Sequence, residues 1–183
     1  GQLKAGYNVQ IATEGQYALA YSLFPNPTDT RTLIPFLDEI EQHYFKLPKH
    51  IVADAGYGSE QNYDDILSNR KREALITYNM YLKEQKKKYK QNKFNPDNWQ
   101  YDEENDAYTC PNQQRLVFKY HSERTDKTGF KREFKIYECE DCSRCPFRSS
   151  CTKAKEGNNR KLMVNEKWEQ QKEYVRAKLS EEK

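Results

Sequence analysis

The sequence predicts an α/β fold whose first part has the order β-β-α-β-α-β. One observation is a pair of alternating segments, Tyr7–Thr13 and Tyr17–Leu23, separated by a short glycine-containing link, a pattern typical of a β-hairpin. Another is a pair of short apolar runs, Ile51–Ala53 and Ala74–Tyr78, with a helical pattern between them. Because parallel strands need a crossover connection, the second pair predicts a βαβ unit.

Three helices are predicted from apolar spacing and capping residues. Pro35 indicates that the first helix either starts close to it or is kinked there. The apolar residues on one face of this helix are Leu33, Phe36, Leu37, Ile40 and Tyr44. The second should begin after Ser59, which can cap it, and continues through Tyr63, Ile66 and Leu67. The third should begin after Asn165 and bury Trp168, Val175 and Leu179.

The run Ile51–Ser59 places one carboxylate, Asp54, after a strand and before a turn with two glycines. In open α/β sheets, ligands bind beyond the carboxyl ends of the strands, and carboxylate oxygens bind hard divalent cations. The glycines would shape the loop, while its tyrosine and serine would contact a substrate or cap the helix. The alternative is that Asp54 only caps the turn or the helix.

The charge of the chain is unevenly distributed. The 183 residues include 31 Lys and Arg against 28 Asp and Glu, but residues 82–161 hold 19 basic and 13 acidic residues. The densest part, Lys83–Lys93, has six lysines and one acid. Lysines attract phosphates without reading sequence, although a charged run is also typical of a solvated linker. The candidate nucleic-acid-binding residues are Lys86, Lys87, Lys88, Lys90 and Lys93.

Several classes of function find no support in the sequence. It contains no glycine-rich phosphate loop, no nucleophile elbow and no HExxH zinc-protease motif. No stretch approaches the roughly 20 apolar residues of a membrane helix, and no N-terminal signal pattern is present, so a cytoplasmic location is predicted. The three histidines are scattered and are predicted to be surface or capping residues: His43, His50 and His121.

The five cysteines form the second strong signal. Four lie in the pattern Cys139-x2-Cys142-x2-Cys145-Pro-x4-Cys151, and the fifth is Cys110. Thiolates with this spacing bind zinc tetrahedrally. Free thiols and disulfides are the alternatives, and the odd count and missing secretion signal weigh against disulfides.

Two alternating segments between Cys110 and Cys139 predict a second hairpin. They are Arg115–Tyr120 and Arg132–Glu138, and Thr125–Gly129 lies between them. A hairpin with cysteines in the loops at its ends is typical of a zinc ribbon. Because four sulfurs leave no open position for water, such an ion would be structural.

Four segments together resemble the catalytic region of bacterial insertion-sequence transposases of the DDE type. They are Lys4–Ala12, the Asp29-containing turn before a helix, Val52–Glu60 and the cysteine-rich segment. The resemblance covers nearly the whole chain. It implies a ribonuclease H-like fold in which three carboxylates hold two divalent ions, Mg²⁺ or Mn²⁺, that drive phosphodiester cleavage and strand transfer of an insertion sequence.

The resemblance also implies roles for individual residues. Asp54 would be the second of the three catalytic carboxylates and a ligand of the divalent ions. The first would precede Gly1 and the third would follow Lys183, so we expect a transposase fragment that is inactive alone. The implied partners are DNA, as transposon ends and target, and further copies of the complete protein. The implied zinc ligands are Cys110, Cys142, Cys145 and Cys151, with Cys139 left out.

These interpretations divide the chain into three segments. Residues 1–81 would form part of the ribonuclease H-like core, residues 82–161 a basic, zinc-ribbon-like insertion, and residues 162–183 a helix that returns to the core. A non-catalytic zinc-ribbon module that binds nucleic acid is the alternative, as is a decayed element that folds without activity. Dependence on a divalent ion separates an enzyme from a binding module.

Overall fold

The computed structural model describes residues 6–180, which form two units. One unit comprises the chain up to Tyr81 together with the segment from Gln170 onward, and the other comprises Leu82–Glu169. The first unit contains a two-stranded antiparallel sheet and a two-stranded parallel sheet, and the second contains a five-stranded sheet. The protein is therefore a mixed α/β structure.

The predicted N-terminal hairpin is confirmed. Strand β1, Asn8–Glu14, pairs antiparallel with β2, Tyr17–Phe24, around Gly15, whose φ of 58° suits glycine. The apolar residues of β1 are the exposed ones, since Val9 is 52% and Ile11 57% exposed. Gln10, on the opposite face, is only 3% exposed. The polar face of this hairpin is thus the one that packs inward.

Helix α1, Leu33–His43, follows a short 3₁₀ turn, Asp29–Arg31. Pro35 lies in its first turn, where a missing N–H costs no hydrogen bond. Four of the five apolar residues predicted on one face of this helix are buried, namely Leu33, Phe36, Leu37 and Ile40. The fifth, Tyr44, is 47% exposed because the helix ends before it.

The predicted parallel pair is also confirmed. Strand β3, His50–Ala53, pairs with β4, Glu73–Ile76, which is one residue earlier than predicted at its start and shorter at its end. Helix α2, Glu60–Asp64, and a π-helical turn, Asp65–Asn69, form the crossover. The fully buried Tyr63 donates its hydroxyl to the Ile76 carbonyl oxygen at 2.9 Å, which ties the crossover to β4.

Arg70, at the end of the crossover, joins the helices of the first unit. Its guanidinium donates to Asp38 and Glu41 of α1 and to Asp65, and its side chain is 9% exposed. Burial lowers the pKa of Arg70, but the hydrogen bonds and charges of Asp65 and Asp38 outweigh burial, so that the pKa is raised. Arg70 is therefore a charged centre around which α1 and the crossover are fixed.

The second unit is built on a five-stranded antiparallel sheet in which each strand pairs with the next one along the chain. The predicted hairpin forms its centre but is longer than the sequence pattern suggested. Leu116 and Tyr137 are almost fully buried and pack with three of the cysteines. The strands are β5, Gln100–Asp102, β6, Ala107–Thr109, β7, Arg115–Thr125, β8, Lys131–Cys139, and β9, Lys161–Val164.

Four further α-helices and a 3₁₀ turn, Pro96–Asn98, complete the described elements. Three are single turns: α3, Tyr81–Glu84, α4, Lys87–Lys90, and α5, Arg148–Cys151. The predicted last helix, α6, is Glu166–Ser180, and Asn165 Oδ1 accepts from the Trp168 N–H at 2.9 Å, as expected for a cap. Val175 of α6 is fully buried, and no helix within residues 6–180 has the length and apolarity to cross a membrane.

Candidate active site and cysteine cluster

Asp54 follows the last residue of β3 and is exposed at the carboxyl end of the strand. Its Oδ1 accepts a hydrogen bond from the Gly56 N–H at 2.7 Å, and its carbonyl oxygen accepts from the Tyr57 N–H at 3.2 Å. Asp54 therefore stabilises its own turn. The helix cap is provided separately, because Ser59 Oγ accepts from the Asn62 N–H at 3.3 Å.

The two glycines of the loop are required by close contacts. A Cβ on Gly58 would lie 2.2 Å from the Thr77 carbonyl oxygen and 2.8 Å from Tyr78 Cα, both backbone atoms. A Cβ on Gly56 would lie 2.9 Å from Asp54 Oδ1 and 3.2 Å from Asp29 Oδ2. Glycine at these positions lets the loop lie against the end of β4 and leaves space between two carboxylates.

Asp29 is the functional candidate to which the sequence assigned no role. It is half-buried in the 3₁₀ turn before α1, and its Oδ2 faces the same point above Gly56 as Asp54 Oδ1. Its Oδ1 accepts from Asn8 Nδ2 at 2.8 Å and from Gln10 Nε2 at 3.3 Å. The structure thus places a second carboxylate, held by two amides of β1, beside Asp54.

Tyr57 lies next to both carboxylates. Burial raises the pKa of its hydroxyl, and the charges of Asp29 and Asp54 raise it further. The hydroxyl donates to Gln10 Oε1. Tyr57 is therefore a protonated hydrogen-bond donor at neutral pH.

Two loops that carry the carboxylates are tied to each other. Thr30 Oγ1 donates to the Gly56 carbonyl oxygen at 2.8 Å. The buried Asn62 donates through Nδ2 to the carbonyl oxygens of Thr30, at 3.0 Å, and Tyr57, at 2.7 Å. The Asp29 turn and the Asp54 loop are consequently fixed relative to one another.

The donor set suits a hard cation. Mg²⁺ is usually bound through one or two carboxylates together with substrate phosphates and water, and Asp29 and Asp54 supply two carboxylates. Within residues 6–180, no three acidic, histidine or cysteine side chains are grouped so that they could hold one ion. An ion held by these two carboxylates would take its remaining ligands from substrate and solvent.

All five cysteines line one small cavity in the second unit, and no disulfide joins them. Arg160 donates through Nη1 to Cys151 Sγ at 2.9 Å, and its backbone N–H donates to Cys142 Sγ at 3.4 Å. Cys139 behaves differently, since its thiol donates to the Asp141 carbonyl oxygen at 3.7 Å, and burial raises its pKa. The fold brings the predicted zinc ligands to one place without grouping three of them at binding distance.

The predicted lysines lie in and around the single-turn helix α4 and are all exposed. Lys93 Nζ lies 3.9 Å from the centre of the Phe147 ring and 5.1 Å from that of Phe94. The others, Lys86, Lys87, Lys88 and Lys90, project from a segment that Tyr89 anchors by donating its hydroxyl to Asp97. The lysine run is thus a structured basic surface.

Comparison with known proteins supports the resemblance. Residues 109–183 match the family model described as a transposase DDE domain, which confirms that the chain resembles DDE-type transposases. The matched segment holds all five cysteines and α6, is less than half of the chain, and does not include Asp29 or Asp54. No curated protein and no solved structure matches the chain.

Proposed function

We propose that this chain is part of a DDE-type DNA transposase with a ribonuclease H-like core, and that it acts in divalent-ion-dependent phosphodiester cleavage and strand transfer of an insertion sequence. The observation that carries the proposal is the approach of the Asp29 and Asp54 carboxylates at the carboxyl end of β3. Carboxylates placed together in this way bind the ions used in phosphoryl transfer.

The side chains of the site have separate roles in ion binding and in positioning. Asp29 and Asp54 would hold Mg²⁺ or Mn²⁺, which would supply charge stabilisation for a reacting phosphate. Asp54 is held by its bond to the Gly56 N–H, so that its position does not depend on an ion. Because only these two carboxylates are seen together within residues 6–180, we expect this chain alone to bind a divalent ion without carrying out strand transfer.

Mn²⁺ binding by Asp54→Asn tests the proposal. Asparagine can still accept from the Gly56 N–H through its carbonyl oxygen, so the substitution removes the charge and keeps the turn. We expect Mn²⁺ affinity, followed by loss of the free-ion electron paramagnetic resonance signal, to fall at least about tenfold.

Glu14→Gln is the matched control, because Glu14 is an exposed acid at the end of β1 and its loss removes the same charge. Its Mn²⁺ affinity should equal that of the wild type. Equal affinities for Asp54→Asn and Glu14→Gln, or no Mn²⁺ binding by the wild type, would refute the proposed site.

We further propose that the cysteine cluster holds a structural Zn²⁺ through Cys110, Cys142, Cys145 and Cys151, as in a zinc ribbon. The support is that all five cysteines line one cavity and that the sulfur atoms of Cys142 and Cys151 accept hydrogen bonds from Arg160, as metal-bound thiolates commonly do. Cys139 instead donates to a carbonyl oxygen, which a thiolate cannot do.

The zinc content of cysteine-to-serine variants tests this assignment. Protein purified under reducing conditions should contain one zinc per chain, and each of the four ligand variants should lose it. Cys139→Ser should retain zinc because it lies in the same cavity without being a ligand. Zinc-free wild type that is fully folded, or zinc loss in Cys139→Ser alone, would contradict the assignment.

DNA is the proposed partner of the basic surface formed by Lys86, Lys87, Lys88, Lys90 and Lys93. These exposed lysines would contact phosphates, so that affinity falls steeply with salt. A non-catalytic module that binds nucleic acid is the second candidate function. It is favoured because the lysine surface and the cysteine cluster belong to one unit, whereas Asp54 belongs to the other. That candidate requires DNA binding without any dependence on Mn²⁺.

A further inference from the structure

Gln10 is buried on a hairpin whose apolar residues face outward. Val9 and Ile11 on either side of it are more than half exposed, whereas Gln10 is 3% exposed. Burial of a primary amide is unfavourable unless its donor and acceptor groups are both hydrogen-bonded. The burial of Gln10 must therefore be explained by its hydrogen-bond partners and not by apolar core packing.

Both ends of the Gln10 amide contact the candidate site. Its Oε1 accepts from the Tyr57 hydroxyl, and its Nε2 donates to Asn8 Oδ1 at 2.7 Å and to Asp29 Oδ1 at 3.3 Å. Asn8 Nδ2 donates to the same Asp29 oxygen at 2.8 Å. Two donors on Oδ1 fix the carboxylate and direct Oδ2 toward the space above Gly56, where Asp54 Oδ1 also lies.

The chemistry of the position favours an amide over other side chains. Tyr57 supplies a donor and Asp29 supplies an acceptor, and a neutral amide can satisfy both at once. A glutamate could not donate to Asp29 at neutral pH, and an apolar residue would leave both groups without this partner.

We propose that Gln10 is a positioning residue for the Asp54 site, which it serves by fixing the carboxylate of Asp29 and the ring of Tyr57 from the inner face of β1. This inference rests on the proposed function, because it assumes that Asp29 and Asp54 face a common divalent ion. It assigns to the buried face of the hairpin a part in ion binding that acts through Asp29.

A double-mutant cycle on Mn²⁺ affinity tests the inference. Gln10→Met keeps the length and volume of the side chain and removes all three hydrogen bonds of the amide, so we expect Mn²⁺ affinity to fall by about tenfold. Asp29→Asn should also weaken binding. Because Gln10 acts through Asp29, adding Gln10→Met to Asp29→Asn should lower the affinity no further.

Gln16→Met is the matched control, since Gln16 is an exposed glutamine in the turn of the same hairpin. It should bind Mn²⁺ as the wild type does. If Gln10→Met does not fold, Tyr57→Phe removes a single hydroxyl from the same network and should give a smaller loss in the same direction.

The outcomes separate this inference from the proposed function. Wild-type Mn²⁺ binding with an unchanged Gln10→Met, or with losses that add fully in the double variant, would overturn the positioning role and leave the site intact. Absence of Mn²⁺ binding by the wild type would overturn both. A shared, non-additive loss is the result that supports Gln10 as a positioning residue.

Discussion

Replacing Gly58 by alanine should unfold the first unit more readily than any other small substitution in the Asp54 loop. The added methyl group would lie 2.2 Å from the Thr77 carbonyl oxygen and 2.8 Å from Tyr78 Cα. Backbone atoms after β4 cannot move aside as a flexible side chain does, so the loop itself must shift. We expect a loss of about 3 kcal/mol in the free energy of unfolding, measured by urea denaturation.

Gly6→Ala is the control for this effect, because no heavy atom lies within 4 Å of its added Cβ. Its free energy of unfolding should stay within about 0.5 kcal/mol of the wild type. A Gly58→Ala protein as stable as Gly6→Ala would mean that the loop does not lie against the end of β4. Displacement of the loop should also weaken Mn²⁺ binding through Asp54.

The second large effect is expected for Arg70→Met. The substitution removes the charge that joins Asp38, Glu41 and Asp65 and leaves three carboxylates facing an apolar side chain. Breaking such a buried cluster costs about 3 to 5 kcal/mol, but Asp38 and Glu41 are 54% and 40% exposed, so solvent screens part of the effect. We expect a loss of about 2 kcal/mol.

Salt provides the diagnostic for this prediction. Repulsion among the three carboxylates is screened by added salt, so the deficit of Arg70→Met relative to the wild type should shrink between low and high NaCl in urea denaturation. Arg31→Met is the matched control, because Arg31 is exposed and the substitution removes the same single positive charge. Its free energy of unfolding should be nearly that of the wild type. A deficit that does not change with salt would indicate lost packing rather than lost charge.

The parts of the fold that could be predicted are those with long or regular patterns. The alternation in β1 and β2 and the apolar runs of β3 and β4 specified the hairpin and the parallel pair. Strands β5, β6 and β9 contain only three or four residues each, which is too short for alternation to stand out from composition. The sequence therefore revealed the central hairpin of the second unit but not its full sheet.

The candidate site likewise has one residue that could be predicted from the sequence and one that could not. Asp54 could be found because strand, carboxylate and glycines follow one another along the chain. Asp29 could not be assigned, because its approach to Asp54 depends on packing between segments 25 residues apart and on amides from β1. The signal that was present is an aspartate in a turn directly before a helix, which alone is typical of a cap.

The alternation of β1 also gave no indication of which face would be buried. Periodicity separates two faces of a strand, and the usual expectation is that the apolar face packs inward. In this hairpin the face that carries Asn8 and Gln10 packs inward, because those amides find partners in Asp29 and Tyr57. In this hairpin the inward face is therefore identified by its hydrogen-bond partners and not by its apolarity.

The bonds from Asn62 to the carbonyl oxygens of Thr30 and Tyr57 have a thermodynamic consequence. They hold the two carboxylate-bearing loops together before any ligand arrives, so little conformational entropy is left to lose when an ion binds. A calorimetric titration of the wild type with Mn²⁺ should therefore lack the large entropic penalty of a site that orders on binding. The conformational entropy of the two loops is thus lost during folding, when the buried Asn62 forms its hydrogen bonds, and not when an ion binds.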